Sequence, residues 1–430
     1  MRRYESYKPS GNFRMPDIPS HWETPKFYHL FRFIGGNGFP LHLQGKKDEE
    51  YPFYKTSDIN GDEIYITESA NYVSLEDIKR EHFTLIPQGA FLMSKIGAAL
   101  RKNHRKITSI PCIVDNNLQA LVKKPYNTSL DLYLYYFLKY FDMAWVDNNG
   151  TIPCVDNAKL KSSTFPVPPL DEQEAIVGYL DTKTSKIDTY IDEREKEISA
   201  LQELKQAEIA HIVTHGLNPD VPMRDSGIPW LGQIPAHWDE KRIALLFSEN
   251  TKKNDDYAFD HAMKFYYGTL VPKEEEGDVS DLKETYTGYT VLNVGDIALN
   301  GLNLNYDFVS QRVASATEKG IITSAYLILT PRENVNSEFY TLLFKAMDYK
   351  KLFHGMGTGI RLTLSYSELK KQIIPVPPPE EQKAFVDFIN AKTSKIDNLI
   401  ADLTAQIEKL KEYKQRLIAD VVTGQFDVRK

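Results

Sequence analysis

Few residues in this 430-residue chain have the types and spacing needed for catalysis. There is no G-x-x-x-x-G-K-[ST] phosphate loop, no G-x-S-x-G nucleophile elbow and no Gly-rich strand–turn–helix to open a cofactor fold. Asn218-Pro219 and Pro168-Pro169 do not make the Asn-Pro-Pro-aromatic motif of an amino methyltransferase. The acids and lysine of "PDIPSHWETPK" are wrongly spaced for a nuclease. Cys112 and Cys154 have no Cys or His neighbour at metal-ligand spacing, so reduced thiols and no metal site are expected. His21 and His237 each precede a tryptophan, Trp22 and Trp238. A structural anchor at the start of a domain suits these pairs better than acid–base catalysis.

Binding chemistry is better supplied. No Asp or Glu occurs between Glu81 and Asp115, a stretch that holds Lys95, Arg101, Lys102, His104, Arg105 and Lys106. A second acid-free stretch, between Asp348 and Glu368, holds Lys350, Lys351, His354 and Arg361. The run "NGLNLNYD" adds Asn300, Asn303 and Asn305. Lys and Arg neutralise phosphates and pair with guanine O6/N7, whereas Asn pairs with adenine N6/N7. These residues are therefore the candidate contacts to double-stranded DNA. A net charge of −7 runs against a nucleic-acid binder when taken whole. The acids, however, concentrate between Asp171 and Glu208, away from the basic stretches, and distribution matters more than the sum.

Composition is that of a globular protein, and no stretch approaches the ~18 apolar residues of a membrane span. The segment "MRRYESYKPS" has no apolar core of a secretory signal, so a cytoplasmic location and no membrane partner are expected.

The elements that must carry these residues come in two copies. "IPSHW" at 18–22 returns as "IPAHW" at 234–238. "PVPPLDEQEAIVGYLDTKTSKID" at 166–188 returns as "PVPPPEEQKAFVDFINAKTSKID" at 375–397. The chain is a tandem duplication, each copy a variable block followed by a near-constant one. After each Pro-Pro pair, apolar positions recur at steps of four and three. The first seam runs Ile187, Ile191, Arg194, Ile198, Leu201, Lys205, Glu208, Ile212, and the second runs Ile396, Ile400, Leu403, Ile407, Leu410, Lys414, Leu417, Val421. This heptad register predicts two long helices paired antiparallel as an intramolecular coiled coil, with Gly216 and Gly424 as stops. The variable blocks mix short strand-like runs ("GDEIYITES", "TSIPCIV", "QALVKK", "IITSAYLILT") with helical ones ("SLDLYLYYFLKYFDM", "NSEFYTLLFKAMDYKKLF"). They align weakly, "IPQGAFLMSKIG" against "LNVGDIALNGLN", and read as divergent copies of one α+β fold.

The two Ile-Pro-x-His-Trp motifs, the duplicated Pro-Pro-x-(Asp/Glu)-Glu-Gln segments and the "ITSAYL" run together resemble the specificity subunit of Type I restriction–modification systems. The resemblance spans essentially the whole chain and is weak inside the variable blocks. It implies an α+β pseudo-twofold tandem repeat: a first target-recognition domain over 1–168, a first spacer helix over 169–216, a second recognition domain over 217–377 and a second spacer helix over 378–430. It implies that each domain reads one half of a bipartite, asymmetric site. It also implies that the chain is non-catalytic and docks two modification subunits, with restriction subunits joining peripherally. S-adenosylmethionine, ATP and Mg would then reside on those partners. Two other readings stay open: a two-headed coiled-coil scaffold that binds proteins and not DNA, and the recognition subunit of a related bifunctional restriction enzyme.

Overall fold

The computed structural model describes residues 2–429 apart from 62, 149, 267, 275–278, 360 and 361, with backbone alone for 279–281. The chain divides into two units, Met1–Glu193 with Gln406–Lys430, and Arg194–Ala405. Both boundaries fall inside long helices, so each unit joins one variable block to a stretch of each helix.

Among the described residues of the first unit, a five-stranded sheet runs in the order Phe31–Gly35, Leu118–Lys123, Phe91–Ser94, Arg105–Thr108, Tyr65–Ile66. Its pairings are antiparallel except the last. Successive side chains of a strand point to opposite faces. Phe91 and Met93 therefore join one core with Tyr133–Leu138 of the helix Asp131–Tyr140, while Leu92 joins another with Tyr54, Val114 and Ala120. Both faces of the sheet are covered, and for that reason every residue of Phe91–Ser94 and of Arg105–Thr108 is buried.

The second unit repeats the arrangement with one strand fewer: Phe247–Glu249, Leu327–Pro331, Ile297–Leu299, Val313–Ser315. Ile297 and Leu299 pack with Phe339, Leu343 and Met347 of the helix Ser337–Tyr349, and Ala298 packs with Met263 and Ile328 on the other face. The weakly aligned segments thus occupy one place in the sheet order. The strand in each follows a glycine with positive φ, Gly89 (78°) and Gly295 (88°). "IITSAYLILT" is not one strand. It breaks at a turn closed by Tyr326 N–H donating to Thr323 O (3.3 Å), between Gly320–Ile322 and Leu327–Pro331.

The constant blocks form helices Leu170–His215 and Pro379–Val422, of 46 and 44 residues. Acids fill the first turns, Asp171 and Glu172 in one and Glu380 and Glu381 in the other, where the helix dipole favours them. Gly216 (φ 81°) and Gly424 (φ 70°) end them. The least exposed positions follow the heptad seams. Ile191, Leu403 and Ile407 are buried, and Ile187, Ile198, Leu201, Ile396, Ile400 and Leu410 are half-buried. In the first unit Lys414 donates to Asp188 (2.6 Å), and Arg429, beyond the helix end, reaches back to Glu172. In the second, Lys205 donates to Asp397 (2.6 Å) and Lys392 to Glu208 (2.8 Å). In each unit one segment ascends as its partner descends, so the helices pair antiparallel. Lys205 and Lys414, polar interruptions of the seams, are equivalent residues in the two copies, and each meets the equivalent aspartate.

Candidate nucleic-acid interface

The repeated motifs meet in space. Trp22 Nε1–H donates to Glu172 Oε2 (2.9 Å), and His21 Nε2 lies 2.6 Å from Oε1 of the same carboxylate. Trp238 and His237 hold Glu381 in the same way, at 3.0 and 2.6 Å. Each pair thus fastens the start of a variable block to the first turn of its own long helix. The tryptophans also receive the far helix ends. A Cβ added to Gly424 would lie 3.0 Å from Trp22 and 2.4 Å from Pro19, and one added to Gly216 would lie 3.4 Å from Trp238. These histidines are spent on architecture.

In the first unit the basic run divides between surface and interior. Arg101 and Lys102 are exposed at the end of a one-turn helix, Ala98–Arg101, beside a cleft of about 550 Å³ that Lys139, Trp145, Glu412 and Arg416 also line. Lys95 and His104 are half-buried near them. Arg105 and Lys106, expected among the DNA contacts, lie inside the fold. Arg105 donates through Nε to Leu138 O (3.1 Å) and through its Nη atoms to Phe141 O (3.2 Å) and His104 O (2.7 Å), closing the C-terminal end of the helix Asp131–Tyr140. Burial pulls its guanidinium down to about 10, which leaves it charged at neutral pH. Lys106 Nζ donates to the Glu63 carbonyl (2.6 Å) and carboxylate (2.9 Å), a pairing that lowers the Glu63 carboxyl. Cys112 is buried, and burial pushes its thiol up to about 12.

In the second unit the candidates lie on two neighbouring loops. Asn300 Oδ1 accepts from Leu302 N–H (3.1 Å) and so shapes its own turn. Asn303 is exposed, with φ 52°, and Asn305 is half-buried. Lys350 is exposed and Lys351 half-buried, at φ 57°. Arg361 lies outside the described residues.

The residue that organises this surface lies outside both the acid-free stretch and the "NGLNLNYD" run. Arg312 is completely buried. Its guanidinium donates to Asn300 O (3.0 Å), Leu302 O (2.8 Å) and Asp307 O (2.6 Å), pinning the loop between Ile297–Leu299 and Val313–Ser315. Its own N–H donates to Asp348 Oδ2 (2.8 Å). Asp307 accepts from Val309 and Ser310 N–H, and hydrogen bonding by Ser310 chiefly brings its carboxyl to about 2. Arg105 is the counterpart, a buried arginine beside Asp142 as Arg312 is beside Asp348. A Lys-x-x-Asp pattern at both helix ends, Lys139/Asp142 and Lys345/Asp348, is the trace this leaves in the sequence.

Comparison with known proteins agrees with the duplicated architecture. The sequence profile of the Type I restriction modification DNA specificity domain matches residues 19–200 and 283–409, one region in each copy. The type I restriction enzyme MjaVIII specificity subunit of Methanocaldococcus jannaschii is 26% identical over 451 residues, covering 99% of this chain and 97% of that protein. The putative MjaX specificity subunit of the same organism is 23% identical over 432 residues, covering 96% and 95%. A chain from a solved structure concerned with complex assembly and conformational transition of the type I R-M system superposes with a TM-score of 0.64. It has 12% identity and covers 94% of this chain and 98% of its own, a likeness of fold. With the profile matching most of its length, two sheets of shared strand order and two antiparallel heptad helices, the chain belongs to the Type I restriction–modification DNA specificity family.

Proposed function

We propose that this chain is the non-catalytic recognition subunit of a Type I restriction–modification enzyme, reading a bipartite, asymmetric DNA site with one unit per half-site. The observation that carries the reading is the pair of sheets with one strand order and unlike loops, each rooted by a buried arginine. A shared scaffold with different loops suits two different half-sites. Arg101, Lys102, Lys95 and His104 are the contacts in one unit, and Asn303, Lys350 and Lys351 in the other. The acid-rich helix Leu170–His215, with its partner helix, suits docking of two modification subunits, with restriction subunits joining them in the cytoplasm. S-adenosylmethionine, ATP and Mg would be held by those partners. Among the described residues no helix is long and apolar enough to cross a membrane.

The test is a mobility shift of the full chain on duplex DNA across a salt series. Phosphate contacts release counterions, so affinity falls steeply with salt. Replacing Arg101 and Lys102 by Ala should lower affinity and reduce the slope of log K against log salt by about 2. Binding without salt dependence, or no binding at all, favours the protein-binding scaffold. Methylome sequencing of the host should show a split, non-palindromic site, and a palindrome would contradict one half-site per unit.

A further inference from the structure

We propose that the loop Tyr306–Val309 of the second unit is an apolar wedge that enters a base step of one half-site, so that this half-site alone is kinked. The proposal deepens the DNA-reading function and rests on it.

Tyr306, Phe308 and Val309 are 76, 54 and 91% exposed, three large apolar side chains within four residues. The loop that carries them is held firmly. Arg312 binds three of its carbonyls from below, and Leu304 is fully buried. Leu304 N–H donates to Leu362 O (3.2 Å), and Leu364 N–H donates to Gly301 O (2.9 Å). Phe308 stacks on His354 at 4.7 Å, and His354 Nε2 lies 3.1 Å from Asp307 O. A rigid loop holding apolar side chains in water is a feature of interaction sites.

Its surroundings favour a polyanion over a protein surface. The segment packed against the loop is the acid-free stretch with Lys350, Lys351 and His354. The one carboxylate on the loop, Asp307, is engaged by two backbone N–H groups and faces Arg312. Positive charge close to a rigid apolar tip is the chemistry of side chains that unstack base pairs and bend the duplex. The corresponding loop of the first unit carries Arg101 and Lys102 on a one-turn helix whose apolar residue, Leu100, is buried. It supplies charge and no wedge.

The experiment uses the full chain and a duplex that it selects from a random-sequence pool, with 2-aminopurine placed at each step in turn. Binding should raise fluorescence at one step within one half-site. Tyr306→Ser with Val309→Ser should abolish that rise and weaken the selected duplex about tenfold or more. Affinity for random duplex and the salt slope should stay unchanged, because no phosphate contact is lost. Val309→Leu, which keeps an apolar tip, should keep the signal. A rise that survives the double substitution, a rise in both half-sites, or an affinity loss equal on random duplex overturns the wedge. Failure of the pool to enrich any sequence overturns DNA reading itself, and the wedge with it.

Discussion

The buried arginine beside the Lys-x-x-Asp helix end occurs in both units and is spent differently. Arg105 closes the end of the helix Asp131–Tyr140 and holds its own loop only at the adjoining Asn103 and His104, beyond the short helix with exposed Arg101 and Lys102. Arg312 turns the same charge toward its loop and holds it through three carbonyls. The fixed part of each unit is therefore the sheet, the helix and the charged root. The free part is what the root is used to hold. Such a design lets the reading surface change while the core stays, because the costly step, satisfying a buried charge, is solved locally in each unit. The helix starts differ in the same manner. Glu172 is held by His21, Trp22 and Arg429, with its side chain 3% exposed, whereas Glu381 is held by His237 and Trp238 and is 36% exposed.

The arginine comparison predicts the largest effect. Arg312→Met orphans three carbonyls around a lost buried charge, and a cost of about 3–5 kcal/mol is expected. Amide exchange should quicken across 300–311, and sequence selection should degrade at one half-site only. Arg105→Met should loosen the end of the helix Asp131–Tyr140 and degrade the other half-site. If either variant blurs both halves, the units do not read independently and the comparison fails.

The helix starts predict a medium effect. Glu172→Gln should cost about 2–3 kcal/mol and Glu381→Gln about 1 kcal/mol, since charge-assisted bonds are stronger when desolvated. Urea unfolding followed through tryptophan fluorescence measures both. Equal costs would show that burial and the third partner, Arg429, add nothing.

The smallest effect tests the similarity between units. Lys414 with Asp188, and Lys205 with Asp397, are equivalent ion pairs on the helix surfaces. Double-mutant cycles to alanine should give couplings of about 0.3–1 kcal/mol for each. The two should agree within about 0.5 kcal/mol. A large difference would mean that the two copies of the seam are no longer alike in their local surroundings.

Much of the fold was legible in the order of residues. The duplication, the Pro-Pro openings and the four-three apolar steps are local, periodic signals, and a helix converts period directly into a face. The weak alignment of the variable blocks gave the correct shared place of Phe91–Ser94 and Ile297–Leu299 in the two sheets. The candidate surface was legible only in part. Arg105 and Lys106 belong to a charge run that reads as solvated, yet their strand is covered on both faces and both side chains find acceptors inside. The "NGLNLNYD" run stands out for its asparagines, while the large apolar side chains of Tyr306, Phe308 and Val309 are exposed on the same loop.

Sequence alone therefore specified what repeats: two copies, two heptad helices and the motifs that begin them, because each is encoded within a few residues of itself. It also supplied the polar seam positions Lys205 and Lys414. The partners came only with the tertiary structure. Asp397 and Asp188 under those lysines, Glu172 under His21 and Trp22, and Arg312 under its loop are brought together from positions 5 to 226 residues apart. Whether a charge is solvated or buried depends on which surfaces close over it, and that closure is a property of the packed sheet and helix rather than of any short stretch of chain.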